Sequence, residues 1–253
     1  MGPAFTLPAV IAHRGDSSRA PENTLAAFRA AARAGASWVE LDARLSADGR
    51  AVVCHDSTLK RIGGRPEAVH ELTWAELAHI DAGAWFSPAF AGESLPSLEA
   101  ALGLIGDLGL GANVELKAGI ETPAVIATAA VAAIAGAWSA PAGSLLVSSY
   151  DPSLLAAVAE LAPTIPRGLV LVRLVPGWRR TLARLGCVSV HVNERHLTPR
   201  AIAAVASAGV ALAAWTVDDA VRAGDLWDWG VQAVFTNVPA ALVAAWRARS
   251  RGA

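Results

Sequence analysis

Three carboxylates, two imidazoles, an arginine and a lysine sit at the ends of short apolar runs in this sequence. V-I-A runs into His13 and Arg14, W-V-E-L-D carries Glu40 and Asp42, A-V-V-C runs into His55, and N-V-E-L-K carries Glu115 and Lys117. Side chains two apart on a strand share a face. Glu40 and Asp42 therefore point the same way, as do Glu115 and Lys117, with Leu41 and Leu116 turned into the opposite layer. Three converging carboxylates repel one another unless a cation sits between them, and all-oxygen ligation suits a hard divalent ion, Mg²⁺ or Ca²⁺. His13 and His55 can divide general-base and general-acid duties at neutral pH. Arg14 and Lys117 beside them form an anion clamp suited to phosphate. Metal, two histidines and an anion site together describe phosphodiester cleavage.

Each residue alone also has a plainer explanation. A strand-end histidine is most often a structural hydrogen-bonder, and E-L-D by itself suits a solvated strand edge. The functional reading rests on recurrence at successive strand ends. His70, His79, His191 and His196 lack such partners and read as surface or structural. Trp215, in A-W-T-V, is either core or a flat surface at the mouth against a substrate's carbon backbone; the other eight tryptophans read as packing.

The elements that must position these groups alternate along the chain. Candidate strands are Val10–Ala12, Trp38–Leu41, Val52–Cys54, Asn113–Leu116, Leu145–Ser148, Gly168–Val172, Ser189–Val192, Leu212–Trp215 and Ala233–Phe235. Between them lie stretches of helical spacing such as Asn23–Ala34, Pro152–Leu161, Pro199–Ala208 and Asp218–Trp229. Sustained β-α alternation argues for a parallel sheet, closed into a barrel or doubly wound. No G-x-G-x-x-G follows the first strand, which weakens the dinucleotide-binding version. In a β/α barrel the strands' C-terminal ends carry the active site, where these polar residues fall. Nine candidates for eight staves mean that one lies outside the barrel. Ser46-Ala47-Asp48-Gly49 is a turn with no room for a helix. From Asp56 to Glu99 the alternation breaks, with Gly63-Gly64, Pro66 and the aromatics Trp85, Phe86 and Phe90, as expected of an insertion folded over one end of a barrel. One domain is expected over residues 1–253.

Composition narrows the function classes. At 54% hydrophobic and 17% charged residues the chain is not disordered. A formal net charge of −1 without clustered Lys/Arg gives no footing for nucleic acid or an anionic membrane. Cys54 and Cys187 are far apart, lack metal-ligand spacing and read as small strand hydrophobes. The start M-G-P-A-F-T matches the loose myristoylation pattern, which is permissive enough to arise by chance. It has neither the basic nor the apolar region of a secretory signal. The longest apolar run, Ala124 to Ala137, is too short to span a bilayer and reads as a packed helix. A soluble, cytoplasmic protein is expected.

Taken in order, A-H-R-G, A-P-E-N-T-L-A-A-F, W-V-E-L-D-A-R-L-S-A-D-G, V-V-C-H-D, D-A-G-A-W-F, N-V-E-L-K, L-V-S-S-Y and W-T-V resemble the glycerophosphodiester phosphodiesterase family over nearly the whole chain. I-P-R-G-L-V-L and L-A-R-L-G-C-V-S-V-H-V-N resemble its cytoplasmic bacterial type linked to glycerol-3-phosphate uptake. The resemblance implies a TIM (β/α)8 barrel with a small insertion after the third strand. It implies metal-dependent hydrolysis of deacylated phospholipids to glycerol 3-phosphate and an alcohol, with the glycerol hydroxyl itself able to attack phosphorus and form a cyclic intermediate that water opens. By position, Glu40, Asp42 and Glu115 would hold the metal, Mg²⁺ or Ca²⁺. His13 and His55 would be the acid/base pair, in either order. Arg14 and Lys117 would hold phosphate, and Trp215 would lie near the glycerol. The expected partner is this small diester, without nucleic acid or membrane insertion.

Two positions depart from the family pattern: Asn237 stands where aspartate is usual, and Asp218 where asparagine is common, which puts hydrogen bonds at the rim in doubt. The rival functions are a related phospholipase or sphingomyelinase D-like phosphodiesterase acting on intact lipid, and a non-catalytic barrel that only binds. A secreted lipase should carry a signal peptide and a membrane-facing patch; a binding barrel would be expected to have lost a histidine or a carboxylate, and none is missing.

Overall fold

The computed structural model of the chain describes residues 5–139 and 143–252, so most of the myristoylation-like hexapeptide lies outside it. The strands are β1 (Val10–His13), β2 (Trp38–Leu45), β3 (Ala51–Val53), β4 (Gly111–Leu116), β5 (Leu145–Ser149), β6 (Arg167–Leu171), β7 (Ser189–Asn193), β8 (Ala211–Trp215) and β9 (Ala233–Thr236). All except β3 are parallel neighbours, and β1 pairs with both β2 and β9, which closes an eight-stranded TIM barrel. The ninth candidate is thus β3. It runs antiparallel to the end of β2, with Ala43 opposite Val53 and Leu45 opposite Ala51. That pairing carries β2 four residues past the expected Leu41. The joining turn is held by Ser46 Oγ, which donates to Asp48 Oδ1 at 2.6 Å and accepts from Arg50 N at 2.9 Å, with Gly49 at φ 76°.

Eight longer helices clothe the barrel: α1 (Leu25–Arg33), α4 (Leu98–Asp107), α5 (Pro123–Ala137), α6 (Pro152–Leu161), α7 (Trp178–Leu185), α8 (Pro199–Ala206), α9 (Ala220–Asp228) and α10 (Pro239–Gly252). Short α2 (Lys60–Gly63) and α3 (Trp74–Leu77) belong to the insertion. The apolar run at Ala124 is α5, whose Ile126, Ala127, Ala130 and Ile134 pack into the main core. No helix among the described residues is long and apolar enough to cross a membrane.

Period-two alternation decides what the barrel holds. Val39, Leu41, Val114, Leu116, Val190 and Val192 join the core between sheet and helices. The intervening residues point inward. Ile11, Trp38, Leu146, Ala213 and Phe235 fill the lower interior, while His13, Glu40, Asp42 and Glu115 lie toward the strands' C-terminal ends. A side chain at Gly111 would put its Cβ 2.3 Å from the Trp38 indole, so glycine makes room for that plug.

The insertion leaves the barrel after β3 and builds its own small core from Leu59, Ile62, Val69, Leu77, Ile80 and Leu95. Asp81 accepts from the backbone N–H groups of Gly83, Ala84 and Gly92, which folds the D-A-G-A-W-F loop. Trp85, Phe86 and Phe90 pack edge to face in sequence. Both cysteines are buried and free; they flank strands β3 and β7 rather than lying within them.

Candidate functional site

Strand β1 ends at His13, and the chain turns at once. Arg14 (φ 57°) and Gly15 (φ 83°) both take left-handed backbone, and a Cβ at Gly15 would stand 2.6 Å from the Ala27 backbone. This turn aims the Arg14 N–H at Glu40 Oε2 (3.0 Å) and its guanidinium at Glu22 Oε1 (2.8 Å). Arg14 Nε lies 3.3 Å from Asp42 Oδ2 as an ion pair without hydrogen-bond alignment. Asn23, also left-handed, donates Nδ2–H to Asp42 Oδ2 at 2.8 Å and accepts from Asp42 N at 3.2 Å. Arg44 reaches from β2 to the carbonyls of His55 and Ala118, fixing two loops at the mouth.

Glu40, Asp42 and Glu115 each offer a carboxylate oxygen within 4.8 Å of the others. Register explains the convergence: Asp42 is directly opposite Glu115 on the neighbouring strand, and Glu40 is one inward layer below. Burial, with Asp42 and Glu115 adding repulsion, pushes Glu40 well above the usual carboxylate range. Burial raises Glu115 too, against the pull of Lys117. Asp42 is held below its ordinary value, because Lys117, Arg14 and His55 outweigh its burial. Lys117 Nζ lies 2.8 Å from Asp42 Oδ1 and also contacts Glu115 Oε1, so the lysine and Arg14 are both engaged with carboxylates here. Glu40 keeps one oxygen, Oε1, buried without a hydrogen-bond partner among the described residues. An all-oxygen donor set with one free buried lone-pair site fits a hard divalent cation.

The two histidines differ in what holds Nδ1. His13 Nδ1 donates to Asn237 Oδ1 at 2.8 Å. The amide orientation is fixed, since Asn237 Nδ2 donates to Asp218 Oδ2 (2.8 Å) and Ser17 Oγ donates to Asn237 Oδ1 (2.9 Å). His13 Nε2 is left bare, 3.9 Å from Glu40 Oε2. Burial, helped by Arg14, lowers the His13 pKa to about 4. His55 Nδ1 instead donates to a carboxylate, Asp56 Oδ1, at 2.7 Å. Burial lowers His55 as well, with the Asp42 charge and the Asp56 hydrogen bond opposing. Asp56 is itself lowered to about 2, where the Arg61 and His55 hydrogen bonds outweigh its burial.

A cavity of about 120 Å³ opens at the barrel mouth, and His13, Arg14, Glu40, His55, Glu115, Lys117 and Trp215 all line it. Asp42 lies in the carboxylate cluster but not on the cavity wall. Trp215 packs edge to face on Tyr150 with ring centroids 5.8 Å apart.

The profile of the glycerophosphoryl diester phosphodiesterase family matches residues 13–241. A glycerophosphodiester phosphodiesterase of Caldanaerobacter subterraneus subsp. tengcongensis is 35% identical over 92% of this chain and 96% of its own. The chain belongs to the glycerophosphoryl diester phosphodiesterase family. It is accordingly an enzyme, a phosphoric diester hydrolase. A Bacillus subtilis glycerophosphodiester phosphodiesterase is 29% identical over 90% of this chain and 83% of its own. Among solved structures, an Oleispira antarctica phosphodiesterase in complex with the product sn-glycerol-3-phosphate superposes with a TM-score of 0.91 at 33% identity, covering 95% of this chain and 97% of that one.

Set against the family pattern, the two departures prove to be partners. Asp218 Oδ1 accepts from Asn237 N at 2.7 Å and from Thr236 Oγ1 at 2.9 Å, so this Asp and Asn form a bonded pair at the rim. Sequence reasoning passed over several other residues. Glu22 and Asn23 were visible only as part of P-E-N-T, yet they hold Arg14 and Asp42. Asn113 lies on the face of Glu115 two residues earlier, a period-two signal available in N-V-E-L-K. His191, read as structural, is buried, bonds Ser189 Oγ at 3.0 Å and also forms part of the cavity's wall. Nothing in the sequence pointed to Arg61, which joins Asp56 to Glu22.

Proposed function

We propose that this protein hydrolyses glycerophosphodiesters, the deacylated phospholipids, to glycerol 3-phosphate and an alcohol, as a single domain acting in the cytoplasm with a divalent cation, Mg²⁺ or Ca²⁺. The observation that carries the reading is the gathering of Glu40, Asp42 and the part-buried Glu115, with two differently held imidazoles, at one small cavity. The family membership and the product seen in the Oleispira neighbour support it.

Glu40, Asp42 and Glu115 would hold the cation, which when bound supplies Lewis-acid polarisation of a phosphoryl oxygen. Arg14 and Lys117 hold the phosphate oxygens by charge-assisted hydrogen bonds. His13, neutral and with Nδ1–H engaged, presents the Nε2 lone pair and takes the proton of the glycerol hydroxyl that attacks phosphorus. His55, backed by the Asp56 carboxylate, carries the proton that the departing alcohol oxygen receives as the P–O bond breaks. Water then opens the cyclic phosphate, giving its proton to His55 while His13 returns its own to the glycerol oxygen released as the ring P–O bond breaks. Trp215 and Tyr150 flank the carbon skeleton.

A coupled assay for glycerol 3-phosphate over a panel of glycerophosphodiesters and diacyl phospholipid vesicles tests the reading. Release from glycerophosphocholine or glycerophosphoethanolamine, with little from vesicles, is the expected result. Comparable rates on vesicles would favour a lipase.

A further inference from the structure

Asn113 is 1% exposed, and its side-chain oxygen has no hydrogen-bond partner among the described residues. Buried polar groups are normally satisfied, and one that is not calls for an explanation. The residue sits on β4 in register with Glu40, one inward layer below Glu115, and it lines the mouth cavity. A second unpartnered buried polar atom, Trp215 Nε1, belongs to the same cavity from the opposite side of the barrel. Val170, Tyr150 and Phe235 supply apolar wall between them.

A free acceptor and a free donor separated by apolar wall suit a short polyol, whose C–H groups pack while its hydroxyls bond. The cavity, about 120 Å³, is small, as suits a short polyol arm rather than an acyl chain. The phosphate-handling groups lie above Asn113, nearer the open mouth. The arm that goes down therefore has to carry its hydroxyl away from the phosphate, and the other alcohol of the diester faces solvent.

We propose that Asn113 is the specificity-determining residue for the polyol side of the substrate, its side-chain oxygen accepting a hydrogen bond from the terminal hydroxyl of the glycerol moiety. This rests on the diesterase reading above. A site with a buried group awaiting a hydroxyl discriminates strongly against an analogue lacking it, because the group is then left unpaired. A group that faces bulk solvent exerts no such selection, so the head-group alcohol is read loosely.

The test compares glycerophosphocholine with its 2-hydroxypropyl analogue, which lacks only the terminal hydroxyl, in wild type, Asn113→Ala and Asn113→Leu. Wild type should favour glycerophosphocholine by about 10²-fold in kcat/KM. The variants should lose most of that preference by failing on glycerophosphocholine while changing little on the analogue. Their thermal stabilisation by Mg²⁺ should match that of wild type. Equal losses on both substrates, or a loss of stabilisation by Mg²⁺, would overturn the proposal in favour of a structural or metal-supporting role. Wild type that treats the two substrates alike overturns it whether or not the variants fold. Wild type that cleaves neither overturns the diesterase reading itself, a separate outcome.

Discussion

Arg61 and Glu22 form a bidentate pair, with Nη1 and Nη2 at 2.8 and 2.7 Å from the two carboxylate oxygens. The pair ties the insertion to the β1–α1 loop, and it does more than clamp. Arg61 Nε also holds Asp56 Oδ2 at 2.8 Å, and Asp56 in turn holds His55 Nδ1; Glu22 likewise holds Arg14. One guanidinium thus connects the supports of His55 and Arg14.

Arg61→Ala should therefore lower kcat by about tenfold or more, although Arg61 lies away from the cavity. Stability should change by less than about 1 kcal/mol, since the side chain is 40% exposed. Guanidinium ion added to the variant should recover part of the rate, and Arg61→Lys should not, because a point charge cannot reproduce the fork. Steady-state kinetics with guanidinium titration checks this; an unchanged kcat would reduce Arg61 to a surface ion pair.

Alanine at His13 or His55 should cut kcat by roughly 10²–10⁴ with little change in KM, because acid/base groups act mainly in the transition state. The double variant should be far less than multiplicatively worse. Asn237→Leu leaves His13 in place but removes the acceptor that fixes its tautomer, so it should lower kcat while sparing KM. Near-wild-type kcat in folded His13 and His55 variants would contradict the assignment.

Mg²⁺ or Ca²⁺ should raise the melting temperature of wild type and leave that of Glu115→Gln nearly unmoved. At about 100 times its dissociation constant, a cation bound only by the folded state stabilises by about 2.7 kcal/mol. A thermal scan with and without ion reads this without any turnover.

His191 gives a pH signature of its own. Burial lowers its pKa to about 3, against the ordinary 6.5. Between those values the unfolded chain binds a proton that the folded chain does not, so stability falls as pH falls, by at most about 1.4 kcal/mol per pH unit. His191→Gln should flatten this slope between about pH 6 and 4 relative to wild type in denaturant titrations. Parallel slopes would contradict a neutral buried imidazole.

Much of this was legible in the sequence because it lives in strands. The period-two rule placed Glu40, Asp42, Glu115 and the inward face correctly, and the alternation of elements indicated a parallel sheet, closed or doubly wound, with the family resemblance deciding for the barrel. The identity of the extra strand was not legible, since A-V-V reads the same in an antiparallel ribbon as in a stave. The supporting polar network was hidden for a different reason. Glu22 and Asp218 lie on loops and Arg61 in the one-turn helix α2, where no periodicity links residues 39 or 19 positions apart that meet in space. Asp218 and Asn237 looked like two departures because only the fold shows that they face each other.

The central claim is tested most directly by following glycerophosphocholine with ³¹P NMR in the presence of metal-stripped protein, then titrating in Mg²⁺ or Ca²⁺. The diester resonance should persist until the cation is added and then give way to that of glycerol 3-phosphate, with Glu115→Gln showing no conversion at the same cation level. Full conversion by a verified metal-free preparation, or the appearance of phosphocholine in place of glycerol 3-phosphate, would contradict the account.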